Sequence, residues 1–193
     1  AETDEDAAAL GASEHGHRTF RSDFYVGSFP GTFAKGALFQ VNEATGDKRI
    51  SGSFASLAGL EMPRDGAEAE MAVQRILMGH ALIAAFGGIP LIYMGDELAL
   101  PNDYGYLDDP HHAHDSRWIH RPRMDWERAA GRVTDEDPSA RVFRGTRAIL
   151  ARLADGDLVR VDAVAGTLDV LTPEVLARPA VRLDLAANGF GTG

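Results

Sequence analysis

The sequence contains no cysteine, which excludes disulfide bonds, thiolate zinc sites, iron–sulfur clusters and a cysteine nucleophile. It is also short of basic residues, because 19 Lys and Arg against 29 Asp and Glu give a formal net charge of −10. A chain of this charge repels a phosphate backbone or an anionic lipid surface on average, so we expect no nucleic-acid and no membrane partner. The most apolar stretch, residues 81–94, is far shorter than the about 20 residues of a membrane-spanning helix.

What remains is an ordinary globular composition, with 45% hydrophobic and 25% charged residues over 193 positions. This length predicts roughly one domain and a fraction. Residues 1–6 are acidic where a secretory signal is basic and then apolar, so they carry no targeting information. The compartment therefore stays open, with a preference for the cytoplasm.

The first half of the chain changes character near residue 64. Residues 1–63 are rich in Gly, Ser and Phe and predict an elaborated loop region with small helices and short strands. From Glu68 the apolar residues fall at helical spacing, which predicts a helix of about five turns that ends at Gly87 and Gly88. The apolar run 89–94 then predicts a strand buried on both faces, as in a parallel sheet.

The second half begins with a long polar segment. Residues 98–138 have no clean periodicity, and a loop of this length in a compact domain is usually functional or disordered. Residues 138–153 predict a second helix. Residues 158–164, 167–171 and 181–185 alternate like strands of an antiparallel sheet. The fold class predicted from these patterns is α/β.

Five segments carry a resemblance to one known family. They are residues 88–97 (GIPLIYMGDE), 17–20 (HRTF), 31–40 (GTFAKGALFQ), 42–52 (NEATGDKRISG) and 115–123 (DSRWIHRPR). The chain resembles the amylosucrases, transglucosylases of glycoside hydrolase family 13 in the α-amylase superfamily, which split sucrose and extend an α-1,4-glucan. The resemblance covers about residues 1–150.

The resemblance implies the C-terminal part of a (β/α)₈ TIM barrel with a loop insertion domain, followed by a partial antiparallel β-domain. Residues 1–63 would be the insertion after barrel strand seven. Residues 64–153 would contain helix seven, strand eight, the long loop after it and helix eight, and residues 154–193 would begin the β-domain. Loops at the C-terminal face of a barrel are where such enzymes build their sites.

The chemistry of the family needs two carboxylates about 5–5.5 Å apart, one as nucleophile and one as acid. The resemblance places them on earlier barrel strands, so we expect no catalytic residue in this chain and no activity of the chain by itself. It also implies no cofactor and no metal, with sucrose and an α-glucan acceptor as the binding partners. The oligomeric state and the product are left open.

The resemblance assigns five substrate-binding residues. Arg117 matches the arginine that pairs with an aspartate at the floor of the glucose pocket, and the alternative is a surface salt bridge. Arg18, Gln40 and Arg49 match acceptor-subsite positions, while Phe20 would stack on an apolar sugar face. For each of these four the alternative is an ordinary loop residue.

Two further groups invite a chemical interpretation. Three histidines among the aspartates of residues 108–115 suggest a metal site, but their spacing is not that of structural zinc and we favour a solvated loop. Asp96 and Glu97 are adjacent, so they point in opposite directions on a strand end and cannot flank one bond. A structural or orienting role is the better interpretation.

Three other functions remain alternatives to transglucosylation. A sucrose hydrolase and a trehalose-forming isomerase of the same superfamily differ only in the acceptor that the loops admit. A non-catalytic carbohydrate-binding protein would keep the barrel without its carboxylates.

Overall fold

The structure is a computed structural model that describes most of the chain: Ala8, Gly11 and residues 13–86, 89–152, 158–162, 167–171 and 181–183. Its described part is a mixture of helices and small antiparallel sheets. The chain groups into two compact units. Unit 1 comprises Ala1–Pro63 and Leu100–Arg123, and unit 2 comprises Arg64–Ala99 and Met124–Gly193.

Unit 1 begins with a helix and a hairpin. Helix α1 (Glu14–Tyr25) starts at Ser13, whose hydroxyl accepts a hydrogen bond from the Gly16 N–H at 2.9 Å. Strands β1 (Ala37–Val41) and β2 (Lys48–Ser51) pair antiparallel, and the short helix α2 (Phe54–Ala58) follows. The prediction of small helices and short strands in residues 1–63 is therefore confirmed for residues 13–63, and most of residues 1–12 lie outside the described part of the chain.

The loop segment of unit 1 folds onto that hairpin. It contains two 3₁₀ helices, η2 (Gly105–Asp108) and η3 (Ser116–His120). The Ser116 hydroxyl donates to the Leu38 carbonyl at 3.0 Å, and Ser51 Oγ lies 2.8 Å from His120 Nδ1. These two contacts fix η3 against both strands of the hairpin.

A buried polar network centred on Asn102 holds the start of that loop. Its side-chain oxygen accepts from the Ser53 N–H at 2.8 Å, and its amide donates to the Lys35 carbonyl at 2.6 Å and to the Tyr104 hydroxyl at 3.2 Å. Glu61 accepts from Tyr104 and from Lys35 Nζ, both at 2.8 Å. Every polar atom of the Asn102 side chain is thereby used, as burial requires.

Unit 2 is built on two packed helices. Helix α3 (Gly66–Ala85) begins at Asp65, whose carboxylate accepts from the Glu68 N–H at 2.9 Å. Its buried face, which includes Val73 and Ile76, packs with α5 (Pro138–Arg152). The 3₁₀ helix η1 (Asp96–Leu98) and the short helix α4 (Trp126–Gly131) complete the described helices of the unit. Both long helices match their predicted ranges where the structure describes them, and the predicted ends at Gly87, Gly88 and residue 153 lie outside the described residues.

A three-stranded antiparallel sheet follows in order β3 (Leu158–Asp162), β4 (Thr167–Leu171) and β5 (Val181–Leu183). The three predicted strands are confirmed where the structure describes them. The remainder of the predicted ranges, residues 163–164 and 184–185, lies outside the described residues.

The predicted buried strand at residues 89–94 is wrong for this chain. Residues 89–93 have no strand conformation, and Ile89 and Leu91 are 97% and 75% exposed. A parallel strand exists only with neighbours that share its backbone hydrogen bonds. In the described part of the chain no strand lies beside residues 89–94, so the run keeps its apolar side chains in solvent.

None of the described helices is long and apolar enough to span a membrane. The sheets of the described residues are small and antiparallel, so they establish the mixed helix and strand class without a barrel. The predicted segment 98–138 is divided: Leu100–Arg123 belongs to the unit that contains the first 63 residues, and α4 belongs to the other unit.

Candidate functional site

The β1–β2 hairpin carries an open polar groove on its surface. Its lining consists of Gln40, Val41, Asn42, Asp47, Lys48 and Arg49. Gln40 and Arg49 are direct partners in the strand register, and both are exposed. Because the chain reverses at Gly46, which has a φ of 72°, two donors nine positions apart in sequence stand side by side.

Helix α1 places two further predicted residues in the same unit. Arg18 Nε lies 3.5 Å from Asp47 Oδ1, so its guanidinium reaches a carboxylate of the groove. Phe20 is 45% exposed and makes a T-shaped contact with Phe29, with ring centroids 4.9 Å apart. Part of the Phe20 ring is therefore open to solvent while the rest contacts a neighbouring aromatic ring.

Arg117 is held by its own loop. Its Nε lies 2.8 Å from Asp115 Oδ1, and its Nη2 lies 2.8 Å from Asp115 Oδ2. The guanidinium also lies over the Phe39 ring of β1, with 5.1 Å from Cζ to the ring centroid. This ion pair is the alternative stated for Arg117 from the sequence, and half of the side chain (52%) is exposed.

The ion pair shifts the pKa values of both Asp115 and Arg117. Hydrogen bonds from Arg117 lower the pKa of Asp115 to about 2, so this carboxylate is ionised at any ordinary pH. The same hydrogen bonds raise the pKa of Arg117. The pair is therefore a fixed contact between two full charges.

Trp118 of η3 is in contact with the side chains of two neighbouring residues. The His112 ring lies 3.7 Å from it between centroids, and Arg121 Cζ lies 4.7 Å from the Trp118 centroid. His112 Nδ1 in turn lies 3.0 Å from Asp109 Oδ2. This stack stiffens the loop around η3, and it occupies the indole surface that a ligand would use.

The groups that suggested other chemistry have structural contacts. Among the described residues, no three His, Asp or Glu side chains are arranged to hold a metal ion. The Glu97 carboxylate accepts from the Gly95 N–H at 2.8 Å, next to η1. This hydrogen bond gives Glu97 an orienting role in the backbone turn at Gly95, which has a φ of 94°.

Glu61 is the most enclosed carboxylate of the polar network, with 11% of its side chain exposed. Burial acts to raise the pKa of Glu61, but hydrogen bonds from Lys35, Ser56 and Tyr104 outweigh it and hold the pKa below its usual value. The hydrogen bond to Glu61 raises the pKa of Lys35. Both groups are thus charged at neutral pH and form a structural pair.

All five predicted residues lie in unit 1, and three of them share the hairpin and its neighbour. Gln40 and Arg49 are paired across the strands, and Arg117 covers Phe39, which is adjacent to Gln40 in β1. Arg18 joins them through Asp47, whereas Phe20 belongs to an aromatic cluster with Phe24 and Phe29. The sequence did not predict Asp115 and Phe39 as partners of Arg117, or Asp47 as the partner of Arg18. Asp115 had a local signal, since an Asp just before a helical turn is a typical N-cap.

No protein-family model matches this chain. The arrangement itself offers hydrogen-bond donors from Gln40, Arg49 and Arg117, and carboxylates lie beside Arg117 and Arg18. Such a surface suits a ligand that is rich in hydroxyl groups and carries no net charge.

Proposed function

We propose that this chain is the C-terminal part of an amylosucrase-like α-glucosyltransferase. In the whole enzyme, sucrose is cleaved and glucose is passed to an α-1,4-glucan with retention of configuration. The chain contributes substrate-binding loops and a closing part of the barrel, and the catalytic carboxylate pair comes from another part of the protein.

The observation that carries this proposal is the placement of Gln40, Arg49 and Arg117 on or against one hairpin. These residues come from three separate segments of the family resemblance, yet Gln40 pairs with Arg49 across the strands and Arg117 packs on Phe39 of the strand that carries Gln40. Amide and guanidinium groups bind sugar hydroxyls by multiple hydrogen bonds. Their shared location supports a saccharide-binding surface at the hairpin.

The exposed apolar surface of unit 2 supports the barrel part of the proposal. Helix α3 is apolar around most of its circumference, and a helix of that kind is normally buried on all sides. Leu82 and Phe86 are nevertheless 41% and 91% exposed, as is the apolar run that begins at Ile89. Neighbouring barrel strands and helices would cover both surfaces.

In this proposal the residues have distinct roles. Arg117 binds on the donor side, where glucose is held during cleavage. Gln40, Arg49 and Arg18 bind the acceptor, and Phe20 stacks on a sugar ring. Water as the acceptor would make the enzyme a sucrose hydrolase, and a rearranged fructose would make it an isomerase. If the whole protein lacked the catalytic carboxylate pair, it would bind carbohydrate without cleaving it.

The decisive experiment uses the full-length protein and measures sucrose consumption together with product ratios. Arg117→Ala should lower kcat/KM by about a hundredfold, as expected for one lost donor at the reacting sugar. Arg117→Lys should restore little, because an ammonium cannot make the planar two-point contact. Arg49→Ala should mainly change the ratio of polymer, free glucose and sucrose isomers.

The matched control is Arg123→Ala, an exposed arginine at the end of the same loop. It should leave both turnover and products unchanged. Near-parental sucrose turnover by Arg117→Ala would contradict the donor-side role, and an absence of any sucrose turnover by the parental full-length protein would contradict the proposed enzyme.

A further inference from the structure

The Asp115 carboxylate makes four hydrogen bonds to one residue. It accepts from the Arg117 backbone N–H at 3.0 Å and from Nε at 2.8 and 3.0 Å, and Oδ2 accepts from Nη2 at 2.8 Å. The backbone hydrogen bond caps η3, and the side-chain hydrogen bonds hold the guanidinium. One carboxylate therefore fixes both the backbone N–H and the guanidinium of Arg117.

The guanidinium is held on two sides. Asp115 occupies the edge formed by Nε and Nη2, and the Phe39 ring lies against the face. A guanidinium has five N–H donors, so Nη1 and the second Nη2 hydrogen are not used by Asp115. Within the part of the chain that the structure describes, no other acceptor lies within hydrogen-bond distance of Arg117, and the side chain is 52% exposed.

The pair carries no net charge, which sets the kind of ligand that its open edge prefers. A free arginine attracts anions through its full charge, whereas a carboxylate in contact cancels most of that attraction. The remaining N–H groups still donate hydrogen bonds to neutral oxygens. A preorganised donor edge of this kind also binds with a smaller loss of side-chain entropy.

We propose that Asp115 is a positioning and specificity-determining residue. It grips the Nε and Nη2 edge of Arg117 against Phe39 and presents the Nη1 edge to the hydroxyl groups of a neutral saccharide. The saccharide part rests on the proposed function, whereas the grip on Arg117 stands on the geometry alone. The experiment below separates the two.

Its first measurement uses the 193-residue chain labelled with ¹⁵N, and follows the motion of the Arg117 Nε–H group by its heteronuclear NOE. The parental chain should show a rigid Arg117 Nε–H. Asp115→Ser retains a hydroxyl that can cap η3 but removes the two-oxygen grip, so Nε–H should become mobile while the backbone amides of the loop keep their positions. Asp115→Asn retains an oxygen at the cap and is the second variant if the serine form loses the loop structure.

The matched control is Asp109→Asn, which alters a carboxylate of the same loop that contacts His112 and not Arg117. It should leave the Arg117 Nε–H rigid. A mobile Nε–H in the parental chain, or a rigid one in both Asp115 variants, overturns the proposal.

The second measurement titrates the same proteins with sucrose and, separately, with inorganic phosphate. Asp115→Asn should bind phosphate about twofold more tightly than the parental chain near Arg117, because the substitution removes the repulsion of a carboxylate that lies on the far side of the guanidinium. It should bind sucrose more weakly. Unchanged phosphate affinity in Asp115→Asn overturns the specificity role. A rigid Arg117 and the phosphate gain without sucrose binding by the parental chain would support the grip and contradict the proposed function.

Discussion

Each of the two units of the molecule is stabilised internally by a different kind of interaction. Unit 1 depends on hydrogen bonds between distant polar side chains, with Asn102 joining Ser53, Lys35 and Tyr104. Unit 2 depends on apolar packing between two long helices, where Ile76 and Val142 are fully buried. A polar network fixes loops in one geometry because each donor must meet its acceptor, whereas apolar packing is less directional.

The difference fits the tasks of the two units. The candidate site lies on loops and a two-stranded hairpin, where directional hydrogen bonds hold the side chains in place. The helix pair has a continuous apolar interface and needs few polar contacts. Breaking each kind of interaction in turn tests how far the two units are independent.

The largest effect is expected from a cavity in unit 2. Ile76→Ala removes a side chain with 0% exposure from α3 and should lower the free energy of unfolding of unit 2 by about 4 kcal/mol. Hydrogen exchange measured by mass spectrometry on peptides of each unit should show the loss in α3 and α5. Ile83→Ala is the control, because Ile83 is 40% exposed in the same helix and should lose less than about 1 kcal/mol. Equal losses for the two variants would contradict the packing described here.

Acid should weaken unit 2 through His80. This ring is 1% exposed, its Nδ1 lies 2.7 Å from the Thr146 hydroxyl, and burial lowers the pKa of His80 from 6.5 to about 4. Between these values the unfolded chain binds more protons than the folded one, so stability is complete above about pH 6.5 and falls as the pH drops to 4. The loss should amount to about 3 kcal/mol.

Urea unfolding of unit 2 at a series of pH values measures this slope. His80→Gln keeps a polar side chain that does not titrate, and should flatten the slope between pH 6.5 and 4 even if its stability at pH 7 is lower. An unchanged slope in His80→Gln would assign the acid sensitivity to other groups.

A single substitution in the polar network of unit 1 should lower the stability of that unit by less than the changes described for unit 2. Asn102→Ala leaves the Ser53 N–H and the Lys35 carbonyl without their partner and should lower the stability of unit 1 by about 2 kcal/mol. Exchange should rise in the peptides that contain Ser53 and Lys35, and remain unchanged in α3. Asn42→Ala, at an exposed amide in the hairpin turn, is the control and should cost less than about 1 kcal/mol. Faster exchange in α3 after Asn102→Ala would show that the two units are not independent.

The smallest effects are expected from two glycines of unit 2. A Cβ at Gly145 would lie 2.6 Å from Leu77 Cδ2, so Gly145→Ala should destabilise the helix pair by about 1 kcal/mol despite its better helix propensity. A Cβ at Gly66 meets nothing within 4 Å, so Gly66→Ala should stabilise α3 by about 0.5 kcal/mol. Thermal unfolding of the two variants provides the comparison, and the same sign for both would contradict it.

The helices were predictable because their signals are local. The apolar spacing from Val73 to Ala81 lies within one segment, and the observed α3 covers it. The Asn102 network has no such signal, since Asn102 and Lys35 are 67 positions apart and each is an ordinary polar residue in its own segment. The grip of Asp115 on Arg117 is local in sequence, but its contact with Phe39 depends on the fold of the loop.

The sequence by itself determined the positions of α3, α5 and the antiparallel strands, together with the absence of thiol chemistry and the acidic charge. Only the tertiary structure decided that residues 89–94 remain exposed, because an apolar run forms a strand only where neighbouring strands accept its backbone hydrogen bonds. It also decided that Gln40 faces Arg49 and that Arg117 packs on Phe39, since side chains from separate segments meet only when the hairpin and the loop have packed.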